Sequence, residues 1–130
     1  MRIHLVNPSH ISFGVAVITP RWLFVLAAAT PREFGDPILV DETLDPFDAS
    51  TIEAGDVVGI SIHTGNAVSG YAVGKAAHAR GARVVYGGIH ATLYPDEPGR
   101  EGAADAVVKG DGDLIWSQVV RDCVAGTLKP

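Results

Sequence analysis

The sequence predicts an α/β fold in which a five-stranded parallel sheet lies between two layers of helices. Three observations carry this expectation. Short apolar runs recur along the chain, separated by helical or irregular stretches, as parallel strands joined by covering crossovers require. The run at 56–64, "DVVGISIHT", is almost continuously apolar, which suits a strand buried on both faces. The chain's 130 residues, 47% of them hydrophobic, suit one domain around one core.

The elements follow in order. "RIHLVN" at 2–7 ends at the turn signal "NPS" and reads as the first strand. In "TPRWLFVLAAAT", Thr19 can cap and Pro20 can occupy the first turn of a helix that starts near 20 and stops before Pro31. "PILVDE" at 37–42 is the second strand, and "DPFDASTIEAGD" holds one or two helical turns. After the third strand at 56–64, helical spacing of Val68, Tyr71, Ala72, Lys75, Ala76 and Ala79 places a helix over 67–80, stopped by Gly81. "ARVVYGG" is the fourth strand and "ADAVVKG" at 103–110 the fifth. A last helix over about 113–125 directs Leu114, Ile115, Val119 and Cys123 or Val124 to one face. The class is therefore a flavodoxin-like (Rossmann-like) three-layer sandwich, for which the strand order is 2-1-3-4-5 and a ligand binds beyond the carboxyl ends of the strands.

Bulk properties exclude several functions. Ten basic and 15 acidic residues give a net charge of -5 with no cluster of Lys or Arg, so nucleic acid is not the expected partner. Cys123 is the only cysteine, which excludes an internal disulfide and a multi-thiolate cluster. "WLFVLAAA" is far short of the roughly 20 apolar residues that span a bilayer, and a soluble, cytoplasmic protein is expected. The end of the chain is linker-like, giving a domain over 1–126 and the start of a linker at 127–130.

The polar and glycine-rich strand endings gather on one rim: "NPSH", "SIHTGN", "GGIHAT" and "KGDGD". Gly87 and Gly88, side by side where a strand ends, allow either a tight turn or the close approach of a flat ligand. Ser61 lies inside an apolar run where an unpartnered hydroxyl is costly, and Thr64 either contacts a ligand or caps the next helix. His4 and His78 read as structural or surface residues. His10, His63 and His90 fall on rim loops, but their spacing matches no metal pair and no carboxylate completes it, so no metal site is expected. Gly110 and Gly112 leave backbone amides open before the last helix. No Walker A sequence, G-x-G-x-x-G, G-x-S-x-G elbow or activated thiol is present, so no catalytic residue is assigned.

These endings resemble a family: the cobalamin-binding domain in front of radical S-adenosylmethionine enzymes, which include methyltransferases acting on unactivated carbons and a ring-forming enzyme of bacteriochlorophyll synthesis. The likeness rests on "LVNP", "VVGIS" leading into "IHT", "VVYGGIHATLYPDE" and "ADAVVKGDGD", and spans nearly the whole chain. Ser61 precedes Gly87 by 26 positions, within the interval of the wider family's Ser-x-Leu to Gly-Gly motif, with His63 in place of the leucine. The resemblance implies that Ser61 contacts the cofactor's dimethylbenzimidazole nucleotide tail and that Gly87 and Gly88 leave it a slot. It also implies that Thr64, Ile89, His90 and Ala91 line the entrance and that Gly110 and Gly112 close the far side. The corrin ring would rest on the rim containing Asn7, Ser9, His10, His63, Thr64 and Gly65, with Phe13, Val15, Val17, Ile18 and Trp22 beneath it.

One departure concerns cobalt. The Asp-x-His-x-x-Gly motif that puts a histidine below cobalt in other branches has no counterpart in "PSHISFGVAVITPRW", so the cofactor is expected base-off with no protein histidine ligand. Another concerns the 4Fe-4S cluster and S-adenosylmethionine of the complete enzymes: Cys123 alone cannot supply the three-cysteine motif of the following barrel, so this chain is expected to bind corrinoid without turnover. The competing readings are a response-receiver-like regulatory or interaction domain, which lacks its acidic cluster and acceptor aspartate, and a flavodoxin-like flavin protein, of whose phosphate loop "NPSHIS" supplies only part.

Overall fold

The structure, a computed structural model, describes residues 1–8, 21–42, 44, 46–110 and 115–126. Five parallel strands, β1 (Ile3–Asn7), β2 (Ile38–Asp41), β3 (Val57–Ser61), β4 (Arg83–Gly87) and β5 (Ala106–Val107), form one sheet in the order β2-β1-β3-β4-β5. The predicted fold class and order are both observed. Helices α1 (Arg21–Ala29) and α5 (Trp116–Ala125) cover one face, while α2 (Ala67–Ala79), α3 (Ile89–Leu93) and α4 (Glu97–Glu101) belong to the other.

Alternation along each strand divides the core. Leu5, Val57 and Val85 join Leu23 of α1 and Trp116 and Val120 of α5, whereas Val6, Val58, Ile60, Val84 and Tyr86 join Tyr71, Val73 and Ala77 of α2. This two-sided burial is why β3 reads as an unbroken apolar run. Among the described residues no helix is long and apolar enough to cross a membrane.

Several boundaries differ from the sequence reading for identifiable reasons. The third strand stops at Ser61 rather than at 64, because Asn66 accepts from the His63 N–H through Oδ1 (2.8 Å) and donates its own N–H to the His63 carbonyl (3.1 Å), which folds 63–66 into a turn. Between β4 and β5, α3 and α4 replace an expected loop. The fifth strand is confined to Ala106–Val107, and a 3₁₀ turn at Arg32–Phe34 follows α1. The predicted turns near 49 form as a single 3₁₀ turn, Ala49–Thr51, whose Ser50 N–H donates to the Asp48 carboxylate at 2.9 Å.

The face that the last helix buries is rotated from the one expected and shares Val119 and Cys123 with it. Trp116 and Val120 are its buried residues, with Val119 and Cys123 packed beside them, while Ile115 and Val124 are exposed. Leu114 and the capping residues Thr19 and Pro20 lie outside the described residues.

Candidate functional site

A cleft of about 340 Å³ opens on the α1/α5 face at the carboxyl ends of β3 and β4. Its volume falls in the range of ligand sites, roughly 300–1,000 Å³. The floor is bare sheet: Gly59 and Ser61 of β3 lie beside Val85 and Gly87 of β4, with Ser61 paired in register with Gly87. Trp22, Val25 and Leu26 of α1 and Trp116 of α5 form the walls, and Val108 and Gly110 bound the β5 side.

The paired glycines have different tasks. Gly88 has φ +93°, and a Cβ there would lie 2.6 Å from both the Ile62 carbonyl oxygen and Ser61 Oγ, so the turn itself excludes a side chain. Gly87 has no such constraint: the nearest atoms to a Cβ would belong to Val108, at 3.9 Å. The turn is thus realised at Gly88, while Gly87 leaves open space.

The walls are fixed by polar anchors outside the cleft. Trp116, 2% exposed, donates its indole N–H to Thr30 Oγ1 (2.9 Å), and Thr30 in turn donates to the Leu26 carbonyl (2.8 Å). Trp22 donates its indole N–H to Asn7 Oδ1 (3.1 Å), while Asn7 Nδ2 donates to Asp41 (3.1 Å). Asn7 therefore positions a wall. Among the described residues no group hydrogen-bonds the Ser61 hydroxyl, which borders the cleft half-buried.

On the opposite face, His90 is not open on the rim. It is buried in α3, with Nε2 2.8 Å from Glu97 Oε1 and Nδ1 3.2 Å from Thr64 Oγ1; the Tyr71 hydroxyl donates to the same Glu97 oxygen at 2.7 Å. In the neutral tautomer that donates its Nε2–H to the Glu97 carboxylate, Nδ1 accepts from the Thr64 hydroxyl. The His90 and Tyr71 hydrogen bonds hold the Glu97 carboxyl below its usual range, and burial followed by the Glu97 contact raises the Tyr71 phenol. This chain of contacts ties the 62–66 turn to α3 and α4.

Of the other proposed site residues, Thr64 and Gly65 are exposed beside the half-buried His63, Ile89 is exposed, and Ala91 is fully buried in the core. Gly110 lines the cleft and donates its N–H to Thr92 Oγ1 (3.0 Å), whose hydroxyl donates to the Gly88 carbonyl (2.9 Å). Ser9, His10 and Gly112 lie outside the described residues, as do Phe13, Val15, Val17 and Ile18. No group of three potential metal ligands gathers among the described residues. Sequence reasoning missed Gly59, Thr92 and Trp116. Gly59 was the available signal, since a glycine amid β-branched residues marks a close approach: a Cβ there would lie 2.9 Å from the Trp116 ring.

At the amino-terminal end of the strands, His4 is fully buried with Nε2 2.9 Å from Asp56 Oδ2. Asp56 also accepts the N–H groups of Arg2 (2.9 Å) and Glu53 (3.0 Å). Desolvation pushes the Asp56 carboxyl up, but the hydrogen bonds from Glu53, Arg2 and His4 outweigh it and leave the group below its usual range. His4 is structural, and His78 is exposed on α2, as expected.

No family model matches the chain. It is 30% identical over 114 residues to bacteriochlorophyllide d C-12(1)-methyltransferase of Chlorobaculum tepidum, a match covering 88% of this chain and 24% of the relative. It is 34% identical over 74 residues to bacteriochlorophyllide d C-8(2)-methyltransferase of the same organism, covering 57% of this chain and 16% of that enzyme. The structure superposes on the radical S-adenosylmethionine methyltransferase TsrM from Kitasatospora setae, solved with cobalamin and a 4Fe-4S cluster bound, with a TM-score of 0.74 at 20% identity, over 97% of this chain and 27% of that one. The same enzyme with tryptophan substrate and a SAM analogue gives 0.74 at 21% identity over 95% of this chain. The chain thus spans about a quarter or less of the proteins it matches. It is related in sequence to segments of two bacteriochlorophyllide methyltransferases and has the fold of a segment of a radical S-adenosylmethionine methyltransferase solved with cobalamin, the family that its strand-end motifs resemble.

Proposed function

We propose that this chain is the corrinoid-binding module of a radical S-adenosylmethionine methyltransferase or cyclase, that it holds cobalamin base-off with no histidine on cobalt, and that the barrel carrying the 4Fe-4S cluster and S-adenosylmethionine belongs to the rest of the enzyme. The observation that carries the reading is the cleft where Ser61 and Gly87 lie side by side at adjacent strand ends. The residues present fit the cofactor's nucleotide tail: Gly87 leaves open space that a side chain would fill, Gly59 lets the Trp116 wall seat against the sheet, and Ser61 offers a hydroxyl with no protein partner among the described residues.

When bound, cobalamin supplies a cobalt centre able to carry a methyl group. The chain's own residues orient the tail and keep water from it. Ser61 hydrogen-bonds the tail, Trp22 and Trp116 wall it in, and Gly88 turns the chain so that the exposed Ile89 stands at the entrance. Titration of the purified chain with hydroxocobalamin, followed by separation from free cofactor and absorption spectroscopy, tests the reading. Retained corrinoid with a base-off spectrum is expected. Absence of retained corrinoid, with retention of flavin mononucleotide instead, would overturn it.

A further inference from the structure

We propose that the cleft selects among cobamides by their lower base, accepting a benzimidazole and discriminating against a purine; this rests on the corrinoid reading above. The chain has two tryptophans, and both line this one cleft, from different helices. Each indole N–H is already committed, Trp22 to Asn7 and Trp116 to Thr30, so the rings stand in fixed orientations with no polar edge to offer a ligand. Rigid aromatic walls suit a flat aromatic group.

The polar inventory of the cleft is short. Among its described residues, the Tyr86 side chain points to the opposite, α2 face, the Gly87 carbonyl accepts from the Ile62 N–H (2.9 Å), and the Gly110 N–H donates to Thr92 Oγ1 (3.0 Å). The Ser61 hydroxyl remains as the side-chain group without a partner. A dimethylbenzimidazole presents apolar methyl-bearing edges to Val85 and Val108. An adenine carries an exocyclic amine and additional ring nitrogens, more groups than one hydroxyl can satisfy. A buried polar group without a partner costs on the order of 1–3 kcal/mol, which corresponds to at least about fivefold in affinity.

The test measures equilibrium binding of three probes to the full 130-residue chain: cobalamin, the cobamide with adenine as lower base, and cobinamide, which lacks the nucleotide. Cobalamin is expected to bind at least about fivefold more tightly than the adenine cobamide. Val108→Thr, a nearly isosteric change that adds a hydroxyl beside Gly87, is expected to narrow that ratio through tighter binding of the adenine form; circular dichroism verifies that the variant is folded. Equal affinity for the two bases overturns the inference while leaving the corrinoid reading intact. Cobinamide binding as tightly as cobalamin also overturns it, because the base then contributes nothing from within the cleft. If none of the three binds, the corrinoid reading itself fails and this inference falls with it.

Discussion

The separate tasks of Gly87 and Gly88 make a sharp prediction, because the same substitution at adjacent positions has opposite consequences. Alanine at 88 forces an L-residue to φ +93°, a strain of about 1–3 kcal/mol. It also sets a methyl 2.6 Å from the Ile62 carbonyl oxygen, which is backbone and cannot rotate away. Overpacking of that kind adds about 1–3 kcal/mol. Gly88→Ala should therefore lose roughly 3–5 kcal/mol of stability and melt about 10–20 °C lower. Alanine at 87 meets nothing closer than Val108 at 3.9 Å and restricts the unfolded chain, so its stability should stay within about 1 kcal/mol of the parent. Its methyl lies over the floor of the cleft, however, and should weaken hydroxocobalamin binding by at least about tenfold. Thermal melts by circular dichroism and a cobalamin titration measure the two effects. Equal melting of Gly88→Ala and the parent would refute the account of the turn, and parental affinity in Gly87→Ala would refute the account of the slot.

Asp56→Asn, read by thermal unfolding, should cost about 3 kcal/mol by removing the charge of a buried carboxylate that faces His4. Because the Asp56 carboxyl is depressed in the folded chain, its contribution is complete above the ordinary carboxylate pKa and is lost as pH falls through the depressed value. The stability difference between parent and Asp56→Asn should therefore shrink in acid; a difference independent of pH between 7 and the acid limit of folding would contradict this. His90→Ala, which breaks the links to both Thr64 and Glu97, should lower the melting temperature more than Thr64→Val, which breaks one. Burial pushes the Cys123 thiol up to about 11, so alkylation by iodoacetamide at pH 8 should be slower than that of a free cysteine and accelerate upon unfolding.

The strands were legible because aliphatic runs bounded by turn residues have few other uses, and β3 because burial on two faces suppresses alternation. What failed was governed by contacts distant in sequence or by elements too short to show a period. The apolar character of Ile62 prolongs the third strand on paper, but the Asn66 side chain turns the backbone away. Helices α3 and α4 have five residues each, little more than one turn, which leaves no repeat to detect. The face of α5 is selected by Trp116 seating on Gly59, and no local pattern encodes a contact with the third strand. In the site, the spacing of Ser61 and Gly87 correctly brought two strand ends together, whereas Gly59 was concealed within the run it interrupts.

The histidines show why residue type alone locates this site poorly. His4 and His90 each lie 2.8–2.9 Å from a carboxylate oxygen, one near each end of the strands, and each is less than a tenth exposed. Such pairs resemble fragments of a catalytic or metal centre, yet in both the carboxylate is taken up by structure, although the buried His4 Nδ1 has no partner among the described residues. Asp56 accepts from His4 and from two backbone amides, and Glu97 from His90 and Tyr71. The cleft has the opposite character, since it offers a serine hydroxyl without a protein partner among the described residues and a floor left open at Gly87. A polar group already satisfied has little to gain from a ligand, whereas the Ser61 hydroxyl and the uncovered sheet both gain by binding one. Binding is favoured where the carboxyl ends of β3 and β4 leave a hydroxyl and a stretch of sheet incomplete, and the titratable residues nearby hold the surrounding turns in place.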